Sequence, residues 1–292
     1  MANLNQIKSK IKSVKNLKKI TRALEVVSTV RLQKNKDKAA ALKNYLLDLM
    51  FILNNIGQQL NLFSDSSSAS KKLIILVTTD RGLCGALNSK IIRQVDDLHV
   101  RKNDDADYFV IGKKGLEYAN RMNLNIVGQL SLPDNFSNED LIPLFDYIES
   151  SLDEGYYGEI KVYFNYFKNS LIQVPTNIDI YPLKKENFHQ FLSDIEEEYD
   201  LKSDLRGRQL IIEPDVQTLE KEIKRQIRSY MILSALIQNK TGEFASRMIA
   251  MKNAKDNSES TINNLTLTYN KTRQGMITQE ISEITGATSA ME

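Results

Sequence analysis

The sequence predicts a protein of the α/β class with two long terminal helices that flank a small α/β segment. Three observations predict it: a proline-free apolar repeat over residues 4–60, a second over residues 215–285, and strand patterns alternating with helix patterns between them. The apolar residues of both repeats recur at steps of three and four, as in a coiled coil. The two helices are expected to pair antiparallel, because the segment between them acts as one large hairpin connection.

The first helix is predicted over residues 4–60, where proline is absent and Gly57 is the first glycine. Its predicted seam comprises Leu4, Ile7, Ile11, Val14, Leu17, Ile20, Leu24 and Val27, then Leu42, Leu46, Leu49, Leu53, Ile56 and Leu60. Lysines interrupt this seam over residues 31–41, so the packing face there has to be small or polar. Such a helix would span roughly 85 Å, which is too long for the inside of a compact domain.

The second helix has a start signal at Glu213-Pro214-Asp215, because proline suits the first helical turn and acids suit the helix dipole. Its predicted seam comprises Leu219, Ile223, Ile227, Tyr230, Leu233, Ile237, Phe244, Met248, Met251, Ile262, Leu265, Tyr269, Met276 and Ile281. Ala254, Ser258 and Thr272 are small or polar seam positions, which makes this part a poor self-dimerising zipper. Gly286 is expected to end the helix.

The central segment is predicted to form a mostly parallel sheet with helices on its faces. Residues 72–79 (KLIILVTT) form a continuous apolar run, as expected of a strand that is buried on both faces. Further strands are predicted at 107–111, 124–130, 160–167 and 171–181, with helices at 91–100, 112–122 and 138–153 and a hairpin turn at 168–170. The predicted domains are 1–63, 72–208 and 211–292.

Composition narrows the possible functions. Apolar residues make up 41% of the chain and charged residues 26%, and no apolar run reaches membrane-spanning length, so we expect a soluble intracellular protein. The only cysteine, Cys84, excludes an internal disulfide and a cysteine-based zinc cage. His99 and His189 are the only histidines, and His99 is interpreted as a surface residue at a helix end. No metal or cofactor is therefore expected.

Residues 79–88 (TDRGLCGALN) follow the first strand, where a nucleotide-binding sheet would carry its phosphate loop. The segment contains Gly82 and Gly85, but it matches neither G-x-G-x-x-G nor G-x-x-x-x-G-K-S/T, the two glycine-rich phosphate-binding patterns. The segment is interpreted as a tight turn between strand and helix. No histidine lies near Cys84 in sequence, so a nucleophilic role for its thiol is not favoured.

The N-terminal helix is strongly basic. Residues 1–43 contain twelve Lys or Arg against two acids, Glu25 and Asp37, although the net charge of the chain is only +2. Such a surface binds either phosphates or an acidic protein. The first aromatic side chain for base stacking is Tyr45. Composition alone leaves both alternatives open.

Several segments closely resemble the gamma subunit of F-type ATP synthases, in order along nearly the whole chain. The most specific are RMIAMKNAKDN (247–257) and LTLTYNKTRQGMITQEISEI (265–284). The others are IKSKIKSVKNLKKITRALEVVSTVRL (7–32), TDRGLCGALN (79–88), IGKKG (111–115), QVPT (173–176) and EPD (213–215). Lys255 departs from the pattern, since the family has a small residue there.

The resemblance implies a non-catalytic rotor shaft. Its terminal helices would form an asymmetric antiparallel coiled coil inside a ring of alpha and beta subunits. Its central domain would be Rossmann-like without a bound nucleotide, and would contact the epsilon subunit and the ring of membrane c subunits. Proton flow would turn the shaft and force the catalytic beta sites through different conformations. The chain would lie peripherally on the cytoplasmic face of the bacterial inner membrane, and nucleic acid would not be a partner.

The resemblance also implies contact residues for the beta subunits. Arg273 and Gln274 match the family's polar contacts to loops of the catalytic subunits. Thr278, Gln279 and Glu280 match the family's ITQE stretch, which contacts the same region of the catalytic subunits. The N-terminal helix that faces acidic beta levers carries Lys8, Lys18, Lys19 and Arg22. The alternative hypotheses are a Rossmann-like nucleotide-binding protein with coiled-coil arms and a nucleic-acid-binding coiled-coil adaptor.

Overall fold

The computed structural model describes residues 2–56, 62, 69–102, 104–184 and 215–289. Its helices are α1 (Ala2–Ile56), α2 (Leu87–Val95), α3 (Lys113–Arg121), α4 (Ile142–Asp153) and α5 (Val216–Ser289). Its strands are β1 (Lys72–Val77), β2 (Ala106–Ile111), β3 (Ile126–Leu130), β4 (Glu159–Phe167) and β5 (Gln173–Tyr181). A π-helical turn (Asp96–Val100) follows α2, and a 3-10 turn (Glu139–Leu141) precedes α4. The predicted fold class is confirmed.

The chain separates into two compact units. The helix-pair unit comprises Met1–Val30 and Arg247–Glu292, and the sheet unit comprises Arg31–Ser246. Both long helices contribute to each unit. None of the described helices is apolar over a stretch that could cross a bilayer.

The helix bounds follow from local chemistry. α1 continues without a break through residues 31–41, as predicted. α5 begins after Asp215, whose carboxylate accepts hydrogen bonds from the backbone N–H (2.9 Å) and hydroxyl (2.7 Å) of Thr218, so this residue caps the helix. The predicted helix end at Gly286 is wrong, because α5 runs on to Ser289. A glycine inside a helix costs only about 1 kcal/mol, so it does not have to end one.

The sheet has the strand order β3-β2-β1-β4-β5. Its pairs are parallel except β4 and β5, which form the predicted antiparallel hairpin at one edge. β1 is the central strand, and Leu73 and Ile75 point to one face while Ile74 and Leu76 point to the other. All four are at most 1% exposed. The apolar run of β1 is therefore buried on both faces, as predicted from its sequence.

The two faces of the sheet carry different helices. α4 and residues 223–237 of α5 cover one face, and they enclose the larger core around Leu144, Ile148 and Ile227. α2 and α3 cover the other face around Ile91, Val95 and Ala119. The sheet unit thus has a packed core of its own. Residues 184–208 are polar and acidic, which predicts a loop or short helix, and all of them except Lys184 lie outside the described residues.

Candidate functional site

The carboxyl end of β1 was the first candidate for a ligand site. Asp80 accepts hydrogen bonds there from the backbone N–H of Lys113 (3.1 Å) and the hydroxyl of Ser131 (2.9 Å). Lys113 is the first residue of α3, and a helix N-terminus attracts anions such as phosphate. The carboxylate of Asp80 therefore occupies the anion position of α3 with a group of the chain itself.

The IGKKG motif has a packing role beside Asp80. Gly112 has a φ of +96°, and an added Cβ would come within 2.4 Å of the backbone oxygen of Thr78. The hydroxyl of Thr78 accepts a hydrogen bond from the backbone N–H of Gly115 at 2.8 Å. Both glycines thus allow the start of α3 to approach the end of β1 closely.

The crevice between β1 and β4 is the usual ligand site of such a sheet, because the chain changes direction there. In this chain, α5 lies along the carboxyl ends of both strands. The amide oxygen of Asn239 accepts hydrogen bonds from the backbone N–H and the side-chain amide of Asn165 on β4, each at 3.1 Å. Ser246 donates a hydrogen bond to the backbone oxygen of Cys84 at 2.6 Å. The chain's own helix thus occupies the position of a nucleotide, which argues against the nucleotide-binding alternative.

Cys84 is only 2% exposed. Its sulfur lies 3.5 Å from the side-chain nitrogen of Asn88 and 3.8 Å from the hydroxyl of Thr79. A thiol enclosed in this way cannot be reached by a substrate. Among the residues that the structure describes, no group of His, Cys, Asp and Glu has the arrangement of a metal site.

His99 is buried, contrary to the surface position predicted for it. It is 5% exposed, with Nδ1 at 2.9 Å from Asp104 and Nε2 at 2.6 Å from the hydroxyl of Tyr163. Burial lowers the pKa of His99, although Asp104 acts in the opposite direction. Through Tyr163, His99 links the π-helical turn to β4. A π-helical turn has no clear periodicity in the sequence, so the burial of His99 was not predicted.

The helix-pair unit holds all the contact residues predicted from the sequence. Lys18 on α1 pairs with Glu259 on α5 at 3.0 Å, and Glu25 pairs with Lys255 at 2.9 Å. Position numbers rise along α1 while they fall along α5, so the helices are antiparallel, as predicted. The Glu25–Lys255 pair was not predicted, although Lys255 stands where the family has a small residue.

The seam of the helix pair follows a strict seven-residue repeat on α1. The covered positions that follow it are Leu4, Ile7, Ile11, Val14, Lys18, Thr21, Glu25 and Ser28, and Leu24, next to Glu25, is half-buried as well. The prediction that Leu17, Ile20 and Val27 belong to this seam is wrong, because they are 51%, 57% and 47% exposed. After Val14 the repeat positions are no longer apolar, but the two supercoiled helices still pack through those positions.

Small polar side chains fill the part of the seam that the apolar residues leave. Thr21, Ser28 and Ser258 are buried. Each donates its hydroxyl hydrogen to a backbone oxygen of its own helix, at 3.0, 2.7 and 2.7 Å respectively. Their hydrogen-bonding capacity is met locally, so they allow close packing without a cross-helix partner. The exposed apolar residues form a stripe (Leu17, Ile20, Val26, Val27 and Val30) on the surface of α1.

The predicted contact residues fall into two groups. Arg273, Gln274, Thr278, Gln279 and Glu280 are all exposed on the last turns of α5. Thr278 donates a hydrogen bond to the backbone oxygen of Gln274 at 3.0 Å. Lys8, Lys19 and Arg22 are exposed on α1, whereas Lys18 is half-buried in its ion pair. After Met276, every side chain through residue 285 is exposed.

Comparison with known proteins gives a consistent result. The chain matches the family described as ATP synthase over residues 3–291. A Salinibacter ruber protein named ATP synthase gamma chain is 32% identical over 308 residues, covering 100% of this chain and 99% of its own length. A gamma chain from Polynucleobacter necessarius is 34% identical, with full coverage of both chains.

Solved structures share the fold. A chain from the OSCP/F1/c-ring structure of the Euglena gracilis mitochondrial ATP synthase has a TM-score of 0.70 at 19% identity, covering 99% of this chain and 95% of its own length. A chain from the central stalk and c-ring of the Tetrahymena thermophila enzyme has a TM-score of 0.59 at 19% identity, covering 80% and 99%. The full-length relatives in particular show that this chain belongs to the family of ATP synthase gamma chains.

Proposed function

We propose that this chain is the central rotor shaft of an F-type ATP synthase. As a gamma chain it is a non-catalytic subunit of that complex. The observation that carries the proposal is the antiparallel helix pair, whose flanks differ in chemistry from one side to another. Leu17, Ile20 and Val27 form an exposed apolar flank on α1, while Lys8, Lys19 and Arg22 are exposed as cations on the same helix.

Such a helix pair can couple rotation to catalysis by differential contact. It has no threefold symmetry, so its apolar and basic flanks face different catalytic subunits at each angle. A binding partner shifts the equilibrium between two conformations of a protein only by the difference in its affinity for them. Each orientation would therefore favour a different set of conformations in the ring of alpha and beta subunits.

The predicted residues have specific roles in this proposal. Arg273, Gln274, Thr278, Gln279 and Glu280 contact loops of the catalytic beta subunits from the last turns of α5. The four cations of α1 face acidic surfaces of the same subunits. This assignment is supported by their position on the helix-pair unit and by the exposure of all of them except Lys18.

The sheet unit has a separate role in this proposal. It contacts the epsilon subunit and the membrane c-ring, so that proton flow turns the whole chain. The chain is then held peripherally at the cytoplasmic face of a bacterial inner membrane through the complex. In functional terms, residues 1–63 and 211–292 form the shaft and residues 72–208 form the foot.

The first experiment is assembly of the cognate alpha and beta subunits with and without this chain, followed by measurement of ATP hydrolysis. A shaft is expected to co-purify as one copy per ring and to sustain rapid multi-site turnover. A chain that neither joins the ring nor changes its turnover would contradict the proposal.

A further inference from the structure

A groove lies between α4 and the first turns of α5, within the sheet unit. Its volume is about 370 Å³. Ile142 and Phe145 on α4 and Tyr230 and Leu233 on α5 form its apolar floor. Ile142 is 50% exposed, and the other three are partly buried against the core. Apolar side chains that line a concave surface are typical of a site where another group docks.

The rim of this groove is acidic. Four carboxylates (Glu139, Asp146, Glu149 and Glu222) and one guanidinium (Arg225) line it, so the lining has a formal charge of −3, or −2 when Arg228 beside Glu149 is counted. Two of the acids have cationic partners, since Glu149 accepts a hydrogen bond from Arg228 at 2.9 Å and Glu222 accepts one from Arg225 at 3.1 Å. The side chains of Glu139 and Asp146 are exposed at the rim. The surplus charge is therefore accessible to a partner.

The two walls of the groove are antiparallel helices. Lys221 pairs with Asp153 at 2.9 Å, and Arg228 pairs with Glu149 further along, so position numbers fall on one helix as they rise on the other. Two packed helices leave a furrow that takes the side-chain ridge of a third helix. A partner helix in such a groove contributes apolar anchors at steps of three and four residues.

We infer that this groove is the docking site for a basic amphipathic helix of a partner protein. The apolar floor receives one apolar ridge, and Glu139 and Asp146 pair with Lys or Arg residues that flank the ridge. The sign of the rim charge excludes phosphate-rich partners such as nucleic acid and anionic lipid surfaces. The inference does not depend on the rotor function, because it rests on the sheet unit alone.

The test uses the full chain and a synthetic peptide of about 15 residues, long enough to form a helix. The peptide carries leucines at helical spacing, lysines on both flanks of the leucines, and a fluorescent label. Binding is measured by fluorescence anisotropy. We expect saturable binding that the combined substitution Glu139→Lys with Asp146→Lys weakens about tenfold. A peptide with glutamates in place of the lysines should not bind.

Two variants separate the groove from general charge effects. Glu154→Lys reverses an exposed acid outside the groove and should leave binding unchanged. Arg225→Gln removes the one cation of the rim and releases Glu222, so it should tighten binding several-fold. A damaged fold cannot produce such a gain. Circular dichroism of each variant confirms that the helical content is preserved.

Three results would overturn the inference. The first is equal binding to the wild-type chain and the double charge-reversal variant. The second is equal binding of the acidic and basic peptides. The third is reversible dimerisation of the chain in sedimentation experiments that the double variant abolishes, because the occupant would then be a second copy of the chain.

Discussion

The sheet unit and the helix-pair unit are stabilised in different ways. The sheet unit buries large apolar side chains on both faces of β1, and it ties its elements together with buried hydrogen bonds such as that of Asn165 with Asn239. The helix-pair unit has Thr21 and Ser28 in the seam of α1 and leaves Leu17 and Ile20 exposed. The difference teaches that one unit folds around its own core, while the other leaves apolar side chains of α1 exposed.

The largest expected effect tests the buried polar part of the sheet unit. Asp107 on β2 is 1% exposed and accepts hydrogen bonds from Lys71 (2.9 Å), Asn125 (2.6 Å) and Tyr157 (2.8 Å). Burial alone would raise the pKa of Asp107, but these partners lower it overall. Asp107→Ala should reduce the free energy of unfolding by about 3 to 5 kcal/mol, because three donors lose their acceptor. Urea denaturation of the wild type and the variant measures the loss.

If Asp107→Ala did not reduce the stability of the chain, the buried polar network would not distinguish the sheet unit from the helix-pair unit. Asp107→Asn is the matched control, because it keeps the size of the side chain while it removes the charge and one of the two acceptor oxygens. We expect its free energy of unfolding to lie between that of the wild type and that of Asp107→Ala. A loss below about 1 kcal/mol for the alanine variant would mean that this network contributes little.

The next prediction compares one leucine from each unit. Leu144 on α4 is fully buried, whereas Leu17 on α1 is 51% exposed. Leu144→Ala should cost about 2 to 5 kcal/mol, because it leaves a cavity in the core. Leu17→Ala should change the stability of the isolated chain by less than about 0.5 kcal/mol. Equal losses for both variants in urea denaturation would contradict the assignment of Leu17 to a contact surface.

A smaller effect concerns the pH dependence of the sheet unit. Burial lowers the pKa of His99 below its ordinary value of 6.5, and Lys72 and Lys161 act in the same direction. The unfolded chain therefore takes up this proton at a higher pH than the folded chain does. The stabilisation is fully present above pH 6.5 and is lost as the pH falls below it. Denaturation midpoints between pH 7.5 and 5 measure this loss.

A matched variant isolates His99 in that profile. The neighbouring carboxylate of Asp104 titrates at a lower pH than this range, because its pKa is lowered, chiefly by its hydrogen bond from Lys72. His99→Gln should flatten the profile between pH 7 and 5. A profile that kept its slope in His99→Gln would show that another group titrates there.

The smallest effect is expected for the cross-helix ion pair of the helix-pair unit. Glu25 raises the pKa of Lys255, chiefly through the hydrogen bond between their side chains. Water screens this pair, so Lys255→Ala should change the denaturation midpoint far less than Asp107→Ala or Leu144→Ala does. A shift as large as that of Asp107→Ala would mean that this ion pair holds the two helices together.

The sequence predicted the sheet unit more completely than the helix-pair unit. The apolar run of β1 and the start of α5 at Asp215 carry local signals, since burial on both faces and helix capping are read directly from residue types. The position of His99 depended on a π-helical turn, which has no such signal. The seam after Val14 depended on which side of α1 faces α5, and apolar spacing wrongly placed the exposed Leu17, Ile20 and Val27 in it.

The contact residues could be predicted only from resemblance. An exposed Arg273 or Lys19 has the same local signature as any solvated residue of a helix. Burial within the chain does not distinguish them, because their proposed partners are other subunits. The acidic groove between α4 and α5 was also not predicted, since Glu139, Asp146 and Glu222 come together only in the folded sheet unit.

Rotation of the sheet unit within the assembled complex tests the central claim most directly. Lys102 is exposed, and the natural thiol of Cys84 is only 2% exposed, so Lys102→Cys gives a single site for attaching a bead. With the ring of alpha and beta subunits fixed to a surface, ATP should turn the bead continuously in one direction, with one pause per catalytic site. A complex that hydrolyses ATP at its full rate while the bead stays still would contradict the shaft function.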